Sequence, residues 1–439
     1  MKVFVETYGC SANANDSEIM QGIIESKMQG ALTYDENEAD TIIINSCAVK
    51  GPTERKILRS ISKKSSEGKR IIIAGCMAEA QSALLLKHNN DLSIISPDNI
   101  ERIGEVLHSS EQVIIRGKRK VDKASLPSLP SFGTAAIIQI AEGCDSACTY
   151  CLTKAAKGHI RSNPEGSILA AAQNAIANGK KELWLTSQDN SCYGVDAYKE
   201  TRLPRLIKKI SRLEGSFMIR NGMGNPNNLI NAIPEIIDAY NNDKVYKFIH
   251  LPSQSGSNKI LKEMRRQYTI EDYLKIINEM RKSLGRLTVA NDIIVGYPTE
   301  TEEDFEETID LLKKTRPDIV NISRFWPRPG TYASRLRPLD GGIVKERSRT
   351  LTKMFEKISG DNNSHWMKWE GSILITETGK NETVKGVNYC YKPVTIGKKA
   401  LLDQGILEKD ENLKSMIGKI INVKIKGFGT YHLEGIPVK

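Results

Sequence analysis

The stretch AEGCDSACTYC, residues 141–151, carries three cysteines in a C-x3-C-x2-C spacing just after an apparent β-strand. Cys144, Cys148 and Cys151 supply three ligands, whereas a structural zinc ion and a [4Fe-4S] cluster both usually take four protein ligands. Zinc patterns also need a second ligand pair nearby, and the only histidine close by is His159. The spacing therefore favours an iron–sulfur cluster over zinc and leaves the fourth ligand to be identified.

Composition narrows the class of protein. The chain has 439 residues and is 39% hydrophobic, which is enough for two or three domains with ordinary cores. It has no apolar run of about 18 residues, and its first residues, MKVFVETYGC, do not resemble a secretory signal. We therefore expect a cytoplasmic protein without a membrane span. Its eight cysteines are then expected to bind metal or catalyse rather than form disulfides, and its net charge of +10 favours a polyanionic partner such as nucleic acid.

Residues 1–117 alternate short apolar runs with helical patterns, which predicts an α/β domain with a parallel sheet covered by helices. The predicted strands are 2–7, 40–46, 70–75, 91–96 and 112–117. The segment 118–134 is basic and then rich in proline and serine, which predicts an interdomain linker.

The rest of the chain predicts two further domains. Six alternating β/α units over 135–366 predict a partial (β/α)6 barrel, with a long charged helix near its end over 343–360. The six strands are expected within 135–143, 181–189, 216–224, 246–256, 287–298 and 318–326. The tail, 367–439, has short strands, glycine turns and no helical pattern, which predicts a small β-barrel.

Three more cysteines, Cys10, Cys47 and Cys76, each directly follow a predicted strand of the first domain. The carboxyl ends of parallel strands lie at one edge of a sheet, so we expect these three side chains to converge there. Convergence predicts a shared metal cluster, although a single buried cysteine would indicate nothing. Cys192 and Cys390 have no partner pattern and are interpreted as structural.

The C-x3-C-x2-C loop resembles that of the radical SAM superfamily. The resemblance implies that S-adenosylmethionine (SAM) fills the fourth position, binding the open iron through its amino and carboxylate groups. It also implies radical chemistry, in which reductive cleavage of SAM gives a 5′-deoxyadenosyl radical that abstracts a hydrogen atom.

The whole chain resembles the methylthiotransferase family. The matching stretches are TYGCSANANDSE (7–18), INSC (44–47), AGCMAE (74–79), LPSQSGS (251–257), DIIVGYPTETEEDF (292–305) and FWPRPGT (325–331), and the tail resembles a TRAM domain, an RNA-binding barrel. The resemblance implies two [4Fe-4S] clusters, the second held by Cys10, Cys47 and Cys76 with an open iron for the transferred sulfur. It also implies an electron donor such as ferredoxin or flavodoxin, and a sulfur donor that the sequence does not identify.

The family replaces a C–H bond by C–S–CH3 on three classes of substrate. CLTKAAKGHIRS (151–162) lacks the proline typical of the types that act on isopentenyladenosine or on a ribosomal-protein aspartate. ELWLTSQDNSCYGVD (182–196), IRNGMGNP (219–226) and VNYCYKPV (387–394) resemble the archaeal and eukaryotic threonylcarbamoyl type. We therefore expect N6-threonylcarbamoyladenosine, 3′-adjacent to the anticodon of tRNA, as substrate. The other two substrates remain alternatives, as do an iron–sulfur electron carrier and an RNA-binding scaffold.

Strand positions and the resemblance suggest further cofactor contacts. Tyr150 is expected to pack on the cluster or on adenine, and Arg220 to pair with the SAM carboxylate. The complete predicted set is Tyr150, Gln188, Arg220, Ser255, Gly256, Asp292 and Gly296. For tRNA, the candidates are Tyr391 and Lys392, because RNA loops are bound by aromatic stacking beside a cation.

Overall fold

The computed structural model describes residues 1–48, 51–130 and 133–438. Val49 and Lys50, which closely follow the second cysteine signature, lie outside these ranges, as do Ser131 and Phe132 of the predicted linker. Lys439, at the end of the predicted tail domain, also lies outside them.

The first domain has the predicted parallel sheet, with its five strands in sequential order. They are β1 (Val3–Thr7), β2 (Thr41–Ser46), β3 (Arg70–Gly75), β4 (Ser93–Ile95) and β5 (Ile114–Ile115). Helices cover both faces, so β2 is buried along its whole length and reads as an uninterrupted apolar run. The helices are α1 (Ser11–Lys27), α2 (Gly51–Ser66), α3 (Cys76–Ala80), α4 (Ser82–His88) and α5 (Ile103–His108).

Six parallel strands form the main sheets of the second region, as predicted. They are β6 (Ala135–Gln139), β9 (Glu182–Thr186), β10 (Met218–Asn221), β11 (Phe248–His250), β12 (Thr288–Val295) and β13 (Ile319–Arg324). They pair as two three-stranded sheets, with orders β10-β9-β6 and β11-β12-β13, and single bridges such as Met223–His250 join the two. A short antiparallel pair, β7 (Ala141–Glu142) with β8 (Arg161–Ser162), brackets the cysteine loop.

Helices separate these strands. They are α6 (Thr153–Lys157), α7 (Glu165–Ala177), α8 (Val195–Tyr198), α9 (Leu203–Ser211), α10 (Pro226–Leu229), α11 (Ile233–Tyr240), α12 (Asn258–Glu263), α13 (Ile270–Leu284), α14 (Glu302–Thr315) and α15 (Gly341–Ser364). The last is the predicted long charged helix. In the part of the chain that the structure describes, no helix combines the length and the apolarity needed to cross a bilayer.

The tail forms a closed five-stranded barrel with the order β14-β15-β16-β18-β17, as predicted. The strands are β14 (Glu370–Thr378), β15 (Thr383–Val387), β16 (Pro393–Gly397), β17 (Ile420–Phe428) and β18 (Leu433–Pro437). The prediction that the tail contains no helix is wrong, because KKALLD forms α16 (Lys398–Asp403). Its residues are good helix formers, and Leu401 is buried in the barrel core.

The described residues of the predicted interdomain linker, 118–130 with 133 and 134, contact both neighbouring domains. Leu129 N donates to Glu18 O of α1 (2.9 Å), and the Lys123 side chain is buried. Lys123 Nζ contacts Asp16 Oδ1 of α1 at 2.6 Å and Glu142 Oε1 of β7 at 2.9 Å. We propose that this segment joins the first two domains as a fixed strap.

Lys157 of α6 completes a buried network of four charges. Its ammonium contacts Asp16 Oδ2 at 2.8 Å and Glu142 Oε1 at 2.6 Å, so each lysine bridges the same two carboxylates. Burial opposes ionisation of Glu142, but Lys123 and Lys157 outweigh it and hold the pKa of this carboxyl well below its usual range. We call Asp16, Lys123, Glu142 and Lys157 the charge quartet.

Replacing Asp16 by Ala leaves two buried lysines with one carboxylate between them. We expect a loss of about 3–5 kcal/mol of stability, because breaking a buried ion pair leaves an uncompensated charge. The measurement is the urea midpoint of the cluster-free protein. The matched control is Asp310→Ala, which breaks an exposed pair with Lys313 and is expected to leave the midpoint unchanged. Equal midpoints for both variants would contradict this account of the quartet.

Candidate metal centre and adjoining cavity

A glycine with positive φ precedes three of the cysteines at the ends of strands. The pairs are Gly9–Cys10, Gly75–Cys76 and Gly143–Cys144, with glycine φ values of 115°, 85° and 85°. A Cβ on Gly143 would lie 2.0 Å from His159 O, and one on Gly75 would lie 2.3 Å from Asn45 Oδ1. Only glycine fits this sharp turn, which sets each cysteine at the end of its strand.

The Asn13 side chain of α1 contacts the segments that carry the three cysteines of the first domain. Its Oδ1 lies 3.7 Å from Cys10 Sγ and 3.8 Å from Cys76 Sγ. Its Nδ2 donates to Tyr8 O (3.0 Å) and Ser46 O (2.9 Å), the segments that lead into Cys10 and Cys47. The structure thus brings the cysteines that follow β1, β2 and β3 to one edge of the sheet.

These thiols are not arranged around a single ion. Among the described residues, no group of three or more His, Cys, Asp or Glu side chains could hold one metal ion. A [4Fe-4S] cube makes a different demand, because each thiolate binds a different iron. Burial raises the pKa of Cys76 to about 12, although the Lys157 ammonium opposes the shift. A thiol with this pKa needs iron to deprotonate it, so the donor set fits a cluster better than a reactive nucleophile.

The second cysteine set lies on the loop between β7 and α6. A hydrogen-bond donor reaches each sulfur atom: Ser146 N to Cys144 Sγ (3.4 Å), Arg266 Nη1 to Cys148 Sγ (3.3 Å) and Thr153 N to Cys151 Sγ (3.2 Å). Such donors stabilise negative charge on sulfur, as thiolate ligands require. The loop therefore fits a cluster held by three thiolates.

A cavity of about 710 Å³ lies between the two cysteine sets. Cys76, Ala48 and Arg55 of the first domain line one side. The barrel supplies the other side, with Tyr150, Cys151, Gln254, Asp292, Asn321, Arg324, Trp326 and Arg328 among its lining residues. One cysteine of each set, Cys76 and Cys151, thus lines a chamber that neither domain forms alone.

Two of the predicted cofactor contacts, Tyr150 and Asp292, line this cavity. Tyr150 packs with the apolar cluster that includes Tyr297. Asp292 Oδ1 accepts a hydrogen bond from Asn321 Nδ2 (2.7 Å) and lies 3.0 Å from His250 Nε2. Both side chains stand where a bound cofactor or substrate would meet them.

The other five predicted contacts, of which Arg220 is described below, do not line the cavity. Gln188 Oε1 accepts from Gly143 N (2.6 Å) and so holds the cysteine loop. Two others contact α14, with Ser255 Oγ near Thr308 Oγ1 (3.5 Å) and Gly256 N donating to Thr308 Oγ1 (2.9 Å). Gly296 N donates to Glu300 Oε2 (2.9 Å) in the segment between β12 and α14. Their predicted contacts with SAM stay predictions.

Arg220, whose predicted pairing with the SAM carboxylate stays a prediction, lies among aromatic rings. Its guanidinium lies 5.2, 4.9 and 5.0 Å from the ring centroids of Trp184, Phe248 and Tyr391. Tyr391 comes from the C-terminal barrel, a contact that strand alternation could not predict. Arg220 therefore occupies an aromatic box between domains and does not line the cysteine cavity.

Tyr391 and Lys392, whose predicted contacts with RNA stay predictions, lie between the C-terminal barrel and the second region. Tyr391 has a φ of 58°, which turns its ring inward, 4.9 Å from the Tyr246 ring. Lys392 is 5% exposed, and its ammonium lies 2.8 Å from both Asp318 Oδ1 and Asn363 Oδ1. Both side chains hold the barrel against the second region and offer RNA little surface.

Sequence reasoning missed Asn13, Arg266 and Arg328. Arg328 Nη1 donates to Ala48 O, and burial lowers the pKa of this guanidinium despite the nearby Cys47 and Cys151. It therefore lies between the two cysteine sets. The run ANAND after Cys10 could have indicated Asn13, and the two arginines of the RFWPRPG segment could have indicated Arg328. Nothing in the sequence singled out Arg266.

The fold and the cysteine loop together define a radical SAM protein. Residues 138–312 match the family described as the Radical SAM superfamily, and residues 2–96 match one described as Uncharacterized protein family UPF0004. The fold is similar to that of TsrM, a radical S-adenosylmethionine methyltransferase from Kitasatospora setae solved with cobalamin and a [4Fe-4S] cluster. The TM-score is 0.54 at 11% identity, over 76% of this chain and 77% of that one. Membership of this superfamily implies SAM and one [4Fe-4S] cluster.

Curated relatives narrow the family. A probable threonylcarbamoyladenosine tRNA methylthiotransferase of Archaeoglobus fulgidus is 41% identical, over 87% of this chain and 89% of the relative. A probable threonylcarbamoyladenosine tRNA methylthiotransferase of Pyrococcus abyssi is 40% identical, over 90% of this chain and 93% of the relative. The Homo sapiens threonylcarbamoyladenosine tRNA methylthiotransferase is 32% identical, over 100% of this chain and 74% of the relative. The chain belongs to the threonylcarbamoyladenosine tRNA methylthiotransferase family, which confirms the resemblance seen in its motifs.

Asn13→Ala tests how the first cysteine set is held. The variant loses two buried hydrogen bonds and leaves Tyr8 O and Ser46 O without this donor, so we expect a cost of about 1–3 kcal/mol. Amide hydrogen exchange of the cluster-free protein is expected to accelerate in the segments that carry Cys10 and Cys47. The control is Asn37→Ala, on the exposed turn before β2. Unchanged protection at both cysteine segments would show that Asn13 does not position them.

Proposed function

We propose that this protein replaces the C–H bond at carbon 2 of the adenine in N6-threonylcarbamoyladenosine by C–S–CH3. The substrate is tRNA, and the target adenosine lies 3′-adjacent to the anticodon. The observation that carries this proposal is the cavity between the two domains, which one cysteine of each three-cysteine set, Cys76 and Cys151, lines. The names of the archaeal and animal relatives support the same activity and favour it over the isopentenyladenosine and ribosomal-protein alternatives.

Each cysteine set has a proposed cofactor. Cys144, Cys148 and Cys151 would hold the [4Fe-4S] cluster that binds SAM, and Cys10, Cys47 and Cys76 would hold a second one. When bound, these groups supply the radical that removes the substrate hydrogen, and the sulfur and methyl group that replace it. This chemistry also requires an electron donor such as ferredoxin or flavodoxin, and a sulfur donor.

The chain itself contributes position and exclusion of water. The charge quartet fixes the sheet edge that carries Cys10, Cys47 and Cys76 relative to the loop that carries Cys144, Cys148 and Cys151. A substrate carbon atom bound between them would therefore lie near both cysteine sets at once. Tyr150 and Trp326 cover parts of the cavity wall with apolar surface, which keeps water from a reactive centre. We further propose a cytoplasmic location, where tRNA is available. The net charge of +10 suits a tRNA partner.

The experiment uses protein reconstituted anaerobically with iron and sulfide, then incubated with SAM, a reductant and tRNA that lacks the methylthio group. Nucleoside mass spectrometry is expected to show threonylcarbamoyladenosine gaining one methylthio group in place of hydrogen. Cys144→Ala is expected to abolish both this product and 5′-deoxyadenosine. Cys10→Ala is expected to keep 5′-deoxyadenosine formation, lose the product, and retain about half the iron, because one of two clusters remains.

Cys390→Ala is the matched control, because Cys390 lies in the core of the C-terminal barrel, far in the fold from either set. It is expected to keep full iron and activity. A methylthio group on isopentenyladenosine alone would refute the substrate, and wild-type iron in Cys10→Ala would refute the second cluster. If no nucleoside changes while 5′-deoxyadenosine still forms, a protein substrate replaces tRNA.

A further inference from the structure

We propose that Arg324 forms a carboxylate-binding subsite in the cavity and recognises the carboxylate of the threonylcarbamoyl group. This inference rests on the proposed function, because it concerns the substrate of the same cavity. Arg324 is the last residue of β13, at the carboxyl end of the sheet where ligands of parallel α/β folds bind.

The cavity is basic. Its lining includes three arginines, Arg55, Arg324 and Arg328, and one carboxylate, Asp292. Asp292 is already engaged by Asn321 and approached by His250, two side chains of the neighbouring strands. A chamber with three guanidinium groups and one occupied carboxylate attracts an anionic ligand.

The three arginines differ in what else they contact. Arg328 is 9% exposed and donates to Ala48 O, so it joins the two domains. The Arg55 guanidinium lies over the Trp326 ring at 5.1 Å from its centroid. The Arg324 side chain is exposed and forms no ion pair, side-chain hydrogen bond or ring contact with any of residues 1–48, 51–130 or 133–438. Arg324 is thus the cavity arginine that is available to a ligand.

The substrate classes of this chemistry differ in the group that a guanidinium recognises. A threonylcarbamoyl group ends in a carboxylate, whereas an isopentenyl group is a neutral hydrocarbon. Guanidinium and carboxylate form two parallel hydrogen bonds with defined geometry, so the pair adds both affinity and orientation. An analogue without the carboxylate loses both hydrogen bonds, so the site is expected to bind it less well. The pair would also place the adenine ring relative to the two cysteine sets.

The test compares Arg324→Gln with the wild type on synthetic anticodon stem-loops that carry either threonylcarbamoyladenosine or its methyl ester, which is neutral. The wild type is expected to lose about ten- to a hundred-fold in kcat/KM on the ester, as for loss of a charged hydrogen bond. Arg324→Gln is expected to lose a similar factor on the acid and to treat both substrates alike. Arg324→Lys is expected to lie between, because an ammonium keeps the charge but not the two-bond geometry.

Two controls isolate the subsite. Arg337→Gln removes the same charge from an exposed position in a later loop and is expected to behave as wild type on both substrates. The KM for SAM and the 5′-deoxyadenosine formed without RNA are expected to stay unchanged in Arg324→Gln.

The outcomes separate the two proposals. If the wild type does not modify the acid stem-loop, the proposed function fails. If the wild type modifies acid and ester equally, or if Arg324→Gln keeps the discrimination, the function stands and the subsite is refuted. A raised KM for SAM in Arg324→Gln would overturn the proposal by assigning this arginine to SAM. Equal losses in Arg324→Gln and Arg337→Gln would also overturn it, because they would indicate general attraction of RNA to positive charge.

Discussion

Four buried charges determine how this chain is assembled. Asp16 comes from the first domain, Lys123 from the connecting strap, and Glu142 and Lys157 from either side of the cysteine loop. Burying four charges costs desolvation energy, and the ion pairs offset this cost only when the domains sit in one relative position. The network therefore contributes more to the specific arrangement of the domains than to the free energy of unfolding. Two further polar contacts join α1 of the first domain to strands of the second region. Asn15 Nδ2 donates to Ile137 O of β6 (2.9 Å), and Ser11 Oγ lies 2.6 Å from Thr186 Oγ1 of β9. The carboxyl edge of one sheet is thereby fixed against that of the other.

Local patterns in the sequence predicted the strands of the three domains and the position of six cysteines relative to them, but not the helix α16. The uninterrupted apolar runs of β2 and β3 indicate strands covered on both sides, and a cysteine after each strand places the sulfur atoms at one edge. The dipeptide Gly-Cys at 9–10, 75–76 and 143–144 was a further local signal. It marks a turn that only glycine can make.

Contacts between domains could not be predicted in the same way. Strand alternation placed Arg220 on the inner face of the sheet, but it could not reveal that Tyr391, from a barrel 171 positions later in the chain, would fill the space around it. Lys392 looked like a surface lysine because its partner, Asp318, lies on another domain. The strap has the composition of a linker, and its contacts with α1 and β7 are long-range ones that composition does not predict. Side-chain direction at such positions depends on long-range packing, which has no short sequence period.

The shared cavity also limits how RNA can present itself. A chamber of about 710 Å³ between two domains is of the size that holds one small ligand and has no room for a paired stem. The target nucleoside must therefore rotate out of the stacked anticodon loop and enter alone, while the rest of the tRNA stays on the outer surface. Extrusion of this kind costs least where bases are already unpaired, as in a loop. The enzyme would thus discriminate against duplex RNA by geometry, before any contact with the base itself.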